Sequence, residues 1–317
     1  MSNIEVLVIS NRFDFTTDYI CLELKKRSAN YFRLNRDELD KTRITYDVIS
    51  KSITIKKGNT SVKVDATTLR AIYYRAPIYL RDIYVPNISP EEQLYRTQWT
   101  AFVRNLASFE RAIWVNNPVA TFRAENKILQ LQMAHELGIC CPKTLVTNDN
   151  GLELEASNNF IVKSLDTAIL RIDNQEAFVY SNKVSGLEIK DSNLALAPIV
   201  LQEYISPKID VRVTVIGNKS YSVKILQNGK GIDGDWRKQK DYVQFVPFQL
   251  PENIEKKCIA LVNNLGLAFG ALDLIESREC FYFLEVNPTG EWAWLVNTAG
   301  LKIYEGICDY LEGEDDT

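Results

Sequence analysis

Two carboxylates and an amide near the C-terminus have the types and spacing to hold a hard cation. Phe281-Tyr282-Phe283-Leu284-Glu285-Val286-Asn287-Pro288 reads as a strand stopped by proline. Strict alternation puts Phe281, Phe283, Glu285 and Asn287 on one face. Mg²⁺ takes one or two carboxylates and completes its shell with water and phosphate oxygens. Asp273, in the apolar run Gly270-Ala271-Leu272-Asp273-Leu274-Ile275, offers a second carboxylate. The two runs can pair as a hairpin around Ser277–Cys280, and an odd loop puts Asp273 and Glu285 on the same side. An acid inside an apolar strand is costly unless it is paired or holds a metal. The bland alternative is a buried acid paired with an Arg or Lys.

A second group is cationic. Val211 to Ile225 reads as a hairpin, and a three-residue Gly217-Asn218-Lys219 loop sets Val213 opposite Val223 and Val211 opposite Ile225. That register places Arg212 opposite Lys224. Facing cations destabilise a hairpin, and a polyanion such as a triphosphate would relieve them. The alternative is two snorkelling surface cations. Upstream, Ile199-Val200-Leu201-Gln202-Glu203-Tyr204-Ile205 runs from apolar residues into a polar pair, with Asp210 beyond.

Three segments must position these residues. Residues 1–116 form the first: a buried strand over 4–9, a helix over 16–28 capped by Thr16 or Thr17, and alternating strands from Arg43 to Lys56 and from Ser61 to Val64. A further strand over Thr68–Tyr74 runs into Arg75-Ala76-Pro77, and a helix with Pro90 in its first turn continues to about Phe109. Trp114-Val115-Asn116-Asn117-Pro118 closes this segment. Residues 117–198 hold a helix around Lys127 ended by Gly138, then strands at Thr144–Thr147 and Asn159–Lys163. Residues 199–317 are strand-rich, with one helix at Ile254–Leu265.

Composition removes other chemistries. The chain has 317 residues, 46% hydrophobic and 25% charged, with net charge −4, so nothing global points to nucleic acid or membrane. No signal peptide and no bilayer-length apolar stretch occurs, and the six scattered cysteines lack a C-x-x-C pair, which suits a reduced, cytoplasmic chain. The single histidine, His135, falls on the surface of the Lys127 helix and rules out a His-rich zinc site. Gly229-Lys230-Gly231-Ile232-Asp233-Gly234 matches G-x-G-x-x-G, but Asp235-Trp236-Arg237-Lys238 and a β-rich stretch follow it instead of a helix. It reads as a glycine-hinged charged loop, or as a plain flexible hairpin tip. Neither H-R-D, D-F-G nor G-x-x-x-x-G-K-[ST] occurs.

In order, Lys127, Ile161-Val162-Lys163, Gln202-Glu203-Tyr204-Ile205, Asp210-Val211-Arg212, Asp273 and Leu284-Glu285-Val286-Asn287-Pro288 resemble the ATP-grasp superfamily. Tyr73-Tyr74-Arg75-Ala76-Pro77, Trp114 to Pro118, Asp235-Trp236-Arg237 and Asn287-Pro288-Thr289-Gly290-Glu291-Trp292 are similar to the graspetide (microviridin-type) peptide ligases within it. The ribosomal-protein glutamate-adding ligases come next. Lys163 is followed by Ser164 where family strands often have proline, and Ala76 stands where a second arginine is common.

The resemblance implies an α/β (α+β) ATP-grasp fold, with an N-terminal α/β lobe, a central lobe and a C-terminal antiparallel-sheet lobe clasping ATP. It implies that Lys127 and Lys163 contact ATP phosphates, Gln202 the adenine edge, the Glu203–Ile205 backbone the hinge, and Asp210 the ribose. Arg212, Lys224 and Arg237 would be catalytic, and Asp273, Glu285 and Asn287 would hold Mg²⁺. Arg75, Asp235, Trp236 and Lys238 would meet the substrate. The implied activity joins Asp or Glu side chains of a ribosomal precursor peptide (leader plus acidic core) to Thr, Ser or Lys through acyl phosphates. A ligase adding amino acids to a protein tail or small molecule is the alternative, and a non-catalytic ATP-sensing or peptide-binding module is a third. A homodimer stays open.

Overall fold

In the computed structural model, which describes residues 2–75, 87–149, 151–165, 169–172, 175–178, 181–237 and 242–314, the chain begins β1 (Ser2–Ile4), β2 (Val6–Ser10), α1 (Phe15–Lys26), β3 (Tyr31–Asn35), β4 (Thr42–Asp47), β5 (Ser52–Lys57), β6 (Thr60–Asp65), β7 (Ala71–Tyr74), α2 (Pro90–Asn105) and β8 (Ile113–Val115). β2 is buried along its whole length, as a strand needs when parallel neighbours leave both its faces covered. It pairs in parallel with β3 and β7, and β8 extends the sheet past β7. A second sheet, β1-β6-β5-β4, packs with α2 against one face of the first. Asp14, one residue before α1, accepts from Thr17 N and so caps the helix, displacing the expected Thr16 or Thr17; aspartate is the stronger cap.

The middle of the chain runs α3 (Pro118–Ala124), α4 (Lys127–Glu136), β9 (Thr144–Thr147), β10 (Asn159–Lys163), β11 (Ile169–Ile172), β12 (Gln175–Phe178), β13 (Asn182–Ser185), α5 (Gly186–Lys190) and β14 (Ile199–Glu203). α3 was not foreseen, although Asn117 caps it and Pro118 fills its first position. Asn126 caps α4 by accepting from Leu129 N, and His135 is exposed on that helix. The antiparallel central sheet has the order β13-β10-β14-β9. β14 therefore hydrogen-bonds into the central sheet, although its residues open the third segment of the sequence reading.

The last part comprises β15 (Ile209–Ile216), β16 (Lys219–Leu226), β17 (Gln244–Pro247), α6 (Glu252–Asn264), β18 (Phe269–Ser277), β19 (Cys280–Asn287), α7 (Ala293–Ala299) and α8 (Ile303–Glu312). Its five strands form the antiparallel sheet β17-β16-β15-β18-β19. α7 and α8 correct the expectation of a single helix in this segment. α8 buries Ile303, Ile307, Cys308 and Leu311 at helical spacing and ends at Gly313. These residues join Val6, Val8, Ile20 and Leu24 in one core, so the end of the chain covers the first sheet.

Two registers differ from the sequence reading. β15 and β16 are joined by a two-residue turn, Gly217-Asn218, with Gly217 at φ +53°. Arg212 therefore faces Val223, and Lys224 faces Val211. The expected three-residue loop rested on matching a core face to a core face. β15 is buried on both faces from Asp210 onward, so that rule has no purchase. The β18–β19 turn is also two residues long, since Ser277 pairs with Cys280. Asp273 still faces Glu285, because the register shifts by one residue between Asp273 and Leu274. Leu284 is the extra residue of this bulge. Phe281 and Phe283 consequently lie in an apolar core while Glu285 turns to the other face, which corrects the single shared face.

Candidate functional site

The five-stranded sheet supplies the charged floor of the site. Asp273 pairs in register with Arg212 on one side and with Glu285 on the other. Arg212 Nη1 lies 3.2 Å from Asp273 Oδ1, and Arg237 Nη2 lies 3.3 Å from Asp273 Oδ2. Lys127, at the start of α4, brings Nζ to 3.7 Å from Glu285 Oε2 and donates to Ser164 O at 3.2 Å. Cations from α4, β15 and the loop before β17 thus meet at one carboxylate pair on β18 and β19. Asn287 sits two residues beyond Glu285, opposite Ala271.

The central sheet supplies the facing wall. A cleft of about 340 Å³ is lined by Lys163, Gln202, Glu203, Tyr204, Ile205, Asp210, Asp235, Trp236, Arg237, Asp273 and Glu285, among others. Gln202 is buried, and its Nε2 donates to Thr144 Oγ1 at 3.0 Å. Asp210 is buried beside Lys208 and pairs with it. Small-molecule sites of about 300–1,000 Å³ are typical, so the cleft has the size for a nucleotide.

Electrostatics follow from this crowding. Burial alone would raise the Glu285 carboxyl, but Lys163, Lys127, Arg237 and Arg212 together pull it below its ordinary value. Burial depresses the Lys163 ammonium, with Glu285 opposing the shift. Burial likewise raises Asp210, against the pull of Lys208. For Arg237, desolvation is outweighed by Asp273, Asp235 and Glu285, which hold it charged. Arg212 is buried, and its Nε has no hydrogen-bond partner among the described residues. A buried guanidinium with an unmet donor beside a polar cleft suits an anionic ligand.

Residues 233–237 of the glycine loop line this cleft. A Cβ on Gly231 would overlap the Lys208 carbonyl, so the glycine serves close backbone approach. The Tyr204 hydroxyl donates to Asp233, while Lys183 Nζ is 3.4 Å from Asp233 and 4.2 Å from the centre of the Tyr204 ring. Lys183 and Asp233 were not singled out from sequence: Lys183 sits in no motif, and Asp233 was read only as part of the glycine motif. Trp236 packs against Phe245 and Trp294, with centroids at 5.7 and 5.9 Å, and also lines the cleft. Asp235 Oδ1 accepts from Arg237 N at 3.0 Å, fixing the loop's shape.

Other candidates lie elsewhere. Lys224 is on the opposite face of the sheet, 2.6 Å from Glu276 Oε2 and over the Phe248 ring. Arg75 is buried between the N- and C-terminal parts, donating to Glu291 and to Thr289 O. Ala76, Pro77 and Lys238 lie outside the described residues. Asn116 is a structural residue of the closing motif. Its Nδ2 donates to Phe269 O and Pro288 O at 2.8 Å each, and its Oδ1 accepts from Ala268 N at 2.9 Å and Phe269 N at 2.8 Å. Gln130 does similar work on β19, donating to Val286 O and accepting from Val286 N, both at 2.9 Å.

Among the described residues no cluster of three His, Cys, Asp or Glu forms a metal site. The donor set at Asp273, Glu285 and Asn287 is two carboxylates and one amide, which fits Mg²⁺ when phosphate oxygens complete the shell. No helix among the described residues is long and apolar enough to cross a membrane.

Comparison with known proteins bears on the fold. No family model matches the chain. A "probable alpha-L-glutamate ligase 1" of Shewanella oneidensis is 25% identical over 211 residues, covering 62% of this chain and 66% of the relative. A similar ligase of Mannheimia succiniciproducens is 25% identical over 206 residues. The chain thus spans about two thirds of the curated relatives it matches. Among solved structures, macrocyclase MdnC bound with precursor peptide MdnA from Microcystis aeruginosa superposes with a TM-score of 0.82 at 25% identity, over 98% of this chain and 99% of that one. A Chryseobacterium gregarium RiPP-associated ATP-grasp ligase, in complex with ADP and a leader and core peptide, gives 0.82 at 24% identity, over 99% and 97%. The fold is that of the ATP-grasp ligases.

Proposed function

We propose, from the premise of an ATP-grasp ligase fold, that this chain uses ATP and Mg²⁺ to activate side-chain carboxylates of a precursor peptide and close them onto hydroxyls or amines. The observation that carries the reading is the facing pair Asp273 and Glu285 at one end of the cleft, ringed by Lys127, Lys163, Arg212 and Arg237. Phosphoryl transfer asks for positioning and charge stabilisation more than for a protein nucleophile.

In this reading a substrate carboxylate oxygen attacks the γ-phosphorus of ATP, the bond to the β-phosphate oxygen breaks, and ADP leaves. A Thr or Ser hydroxyl, or a Lys amine, then attacks the acyl carbon and releases phosphate. Bound Mg²⁺ would neutralise phosphate charge at Asp273, Glu285 and Asn287. Lys127 and Lys163 would hold phosphate oxygens, and Arg212 and Arg237 would stabilise the charge that develops in transfer. Gln202 and the Glu203–Ile205 backbone would hold the base, and Asp210 the ribose. Arg75, Asp235, Trp236 and Lys238 are assigned to the peptide side. The glycine-loop residues that line the cleft would help exclude water from the acyl phosphate.

The names of the curated relatives favour a second reading, in which an amino acid is added to a carboxylate. Intact-mass analysis separates the two. Acidic, Thr- and Lys-containing peptides encoded beside this chain are incubated with the protein, ATP and Mg²⁺, beside a Glu285→Gln control. Successive losses of one water, absent in the control, support macrocyclisation. Gain of an amino-acid residue supports the second reading. ATP binding without any change in peptide mass would overturn both choices of substrate and favour a nucleotide-sensing module.

A further inference from the structure

Cys140 and Cys280 are 140 positions apart in sequence, yet their Sγ atoms are 2.9 Å apart. Both are free thiols, Cys140 exposed and Cys280 half-buried. Cys140 lies on the strap between α4 and β9, and Cys280 is the first residue of β19. The backbone already fixes their alignment: Phe283 N donates to Cys140 O at 2.8 Å, and Cys140 bridges Tyr282 in parallel. The strap's other end accepts from Glu203 N at Lys143 O, 2.8 Å away. It therefore links the strand carrying Glu285 to the strand carrying Gln202.

A disulfide needs a sulfur separation of about 2.05 Å and side chains that already point at each other. Here the sulfurs need only a small side-chain adjustment. The remaining thiols are not so placed. Cys258 and Cys308 are buried, Cys141 turns its Sγ inward to Leu131 O and Ile139 O, and Cys21, half-buried on α1, has its thiol pushed up to about 11 by burial. Burial pushes the Cys141 and Cys258 thiols up, to about 11 and about 12; burial and the neighbouring Cys140 raise Cys280 as well, so it is the sulfur-to-sulfur geometry that sets the pair apart.

We propose that Cys140 and Cys280 are a reversible dithiol–disulfide site that staples the strap to β19. A low-molecular-weight disulfide such as oxidised glutathione is the oxidant. The exposed Cys140 thiolate attacks one glutathione sulfur and expels a glutathione thiolate. The Cys280 thiolate then attacks Cys140 Sγ and expels the second. Two protein thiols lose two electrons, and one oxidised glutathione becomes two reduced molecules. The staple ties the strand carrying Gln202 to the strand carrying Glu285, so nucleotide leaves the oxidised protein more slowly than the reduced one, an effect that rests on the reading of the cleft as the nucleotide site.

The test treats the full chain with oxidised glutathione, quenches it, and counts thiols after denaturation. Six titratable thiols fall to four, the intact mass drops by about 2 Da, and peptide mapping joins Cys140 to Cys280. Cys280→Ser removes the resolving thiol, so Cys140 keeps one glutathione, a gain of about 305 Da; Cys141→Ser behaves as the parent. Dithiothreitol restores all six. A full thiol count after oxidation, a glutathione adduct that persists on the unsubstituted chain, or a link between Cys140 and Cys141 would overturn the site. Equal release rates of a fluorescent ATP analogue from the oxidised and reduced proteins would overturn the hinge effect.

Discussion

The five-stranded sheet has two faces made by the same strands, and they are built on opposite terms. One face, with Val211, Val213, Val215, Leu272, Leu274, Phe281 and Phe283, packs under Leu261 and Val262 of α6. The other, across from it by a single alternation, carries Asp210, Arg212, Asp273 and Glu285. The apolar face gains free energy from area removed from water, at about 25 cal/mol per Å². The charged face forgoes that gain and sets its groups against partners of opposite charge, Asp210 by Lys208 and Asp273 between Arg212 and Arg237. Packing on one side fixes the positions of the charged side chains on the other.

Breaking the apolar face should have the largest effect. Phe283→Ala removes a fully buried ring and should lower the unfolding free energy by about 3–5 kcal/mol, measured by urea titration, while ATP affinity of the folded fraction holds. Breaking the charged face should invert that pattern. Glu285→Gln should reduce peptide-dependent ATP turnover by about 10²–10³-fold with a much smaller change in the urea midpoint. A comparable stability loss in both variants would refute the division of labour.

Lys163 offers a sharper probe. Burial depresses its folded-state pKa below that of an ordinary lysine, so its charge is lost earlier as pH rises. ATP affinity, followed by calorimetry from neutral to alkaline pH, should weaken by about tenfold per pH unit above that point; Lys163→Arg should flatten the curve. By linkage, a lysine pKa lowered on folding makes the apo protein gain stability relative to its unfolded chain as pH rises through the shifted value. The smallest effect is expected at Lys224, paired with Glu276 on the apolar side. Lys224→Ala should cost about 1 kcal/mol or less and leave turnover within about twofold, well below the transition-state losses of a cleft residue.

Sequence patterns reached the site more readily than its registers. Glu285, Asn287 and Asp273 stood out because polar groups interrupt strongly apolar strands, and Pro288 marked where the strand stops. The partners of those carboxylates were harder to place by local rules. Lys127 reaches Glu285 from a helix capped by Asn126, a contact that depends on how α4 lies against β19. The β15–β16 register was misread because Arg212 and Thr214 are buried along with the valines they alternate with, which erases the alternation a register argument needs. The bulge at Leu284 was hidden for a related reason: one inserted residue leaves no compositional mark, yet it reverses the face of everything after it. α8 shows the converse. Its apolar spacing and Gly313 stop were present in the chain, under a tail whose acidity drew attention away.

Asn116 gives the junction of the N-terminal sheet with β18 and β19 a particular mutational character. Its amide uses two donors and two acceptor positions at once, all on backbone groups. Aspartate would forfeit both donors and face two carbonyls; leucine would leave four backbone groups unanswered in a dry environment. Glutamine carries the same groups one methylene too far. A saturation scan should therefore find position 116 intolerant in a way that tracks neither hydrophobicity nor volume, because what is selected there is a hydrogen-bonding valence that a single residue type supplies at that reach.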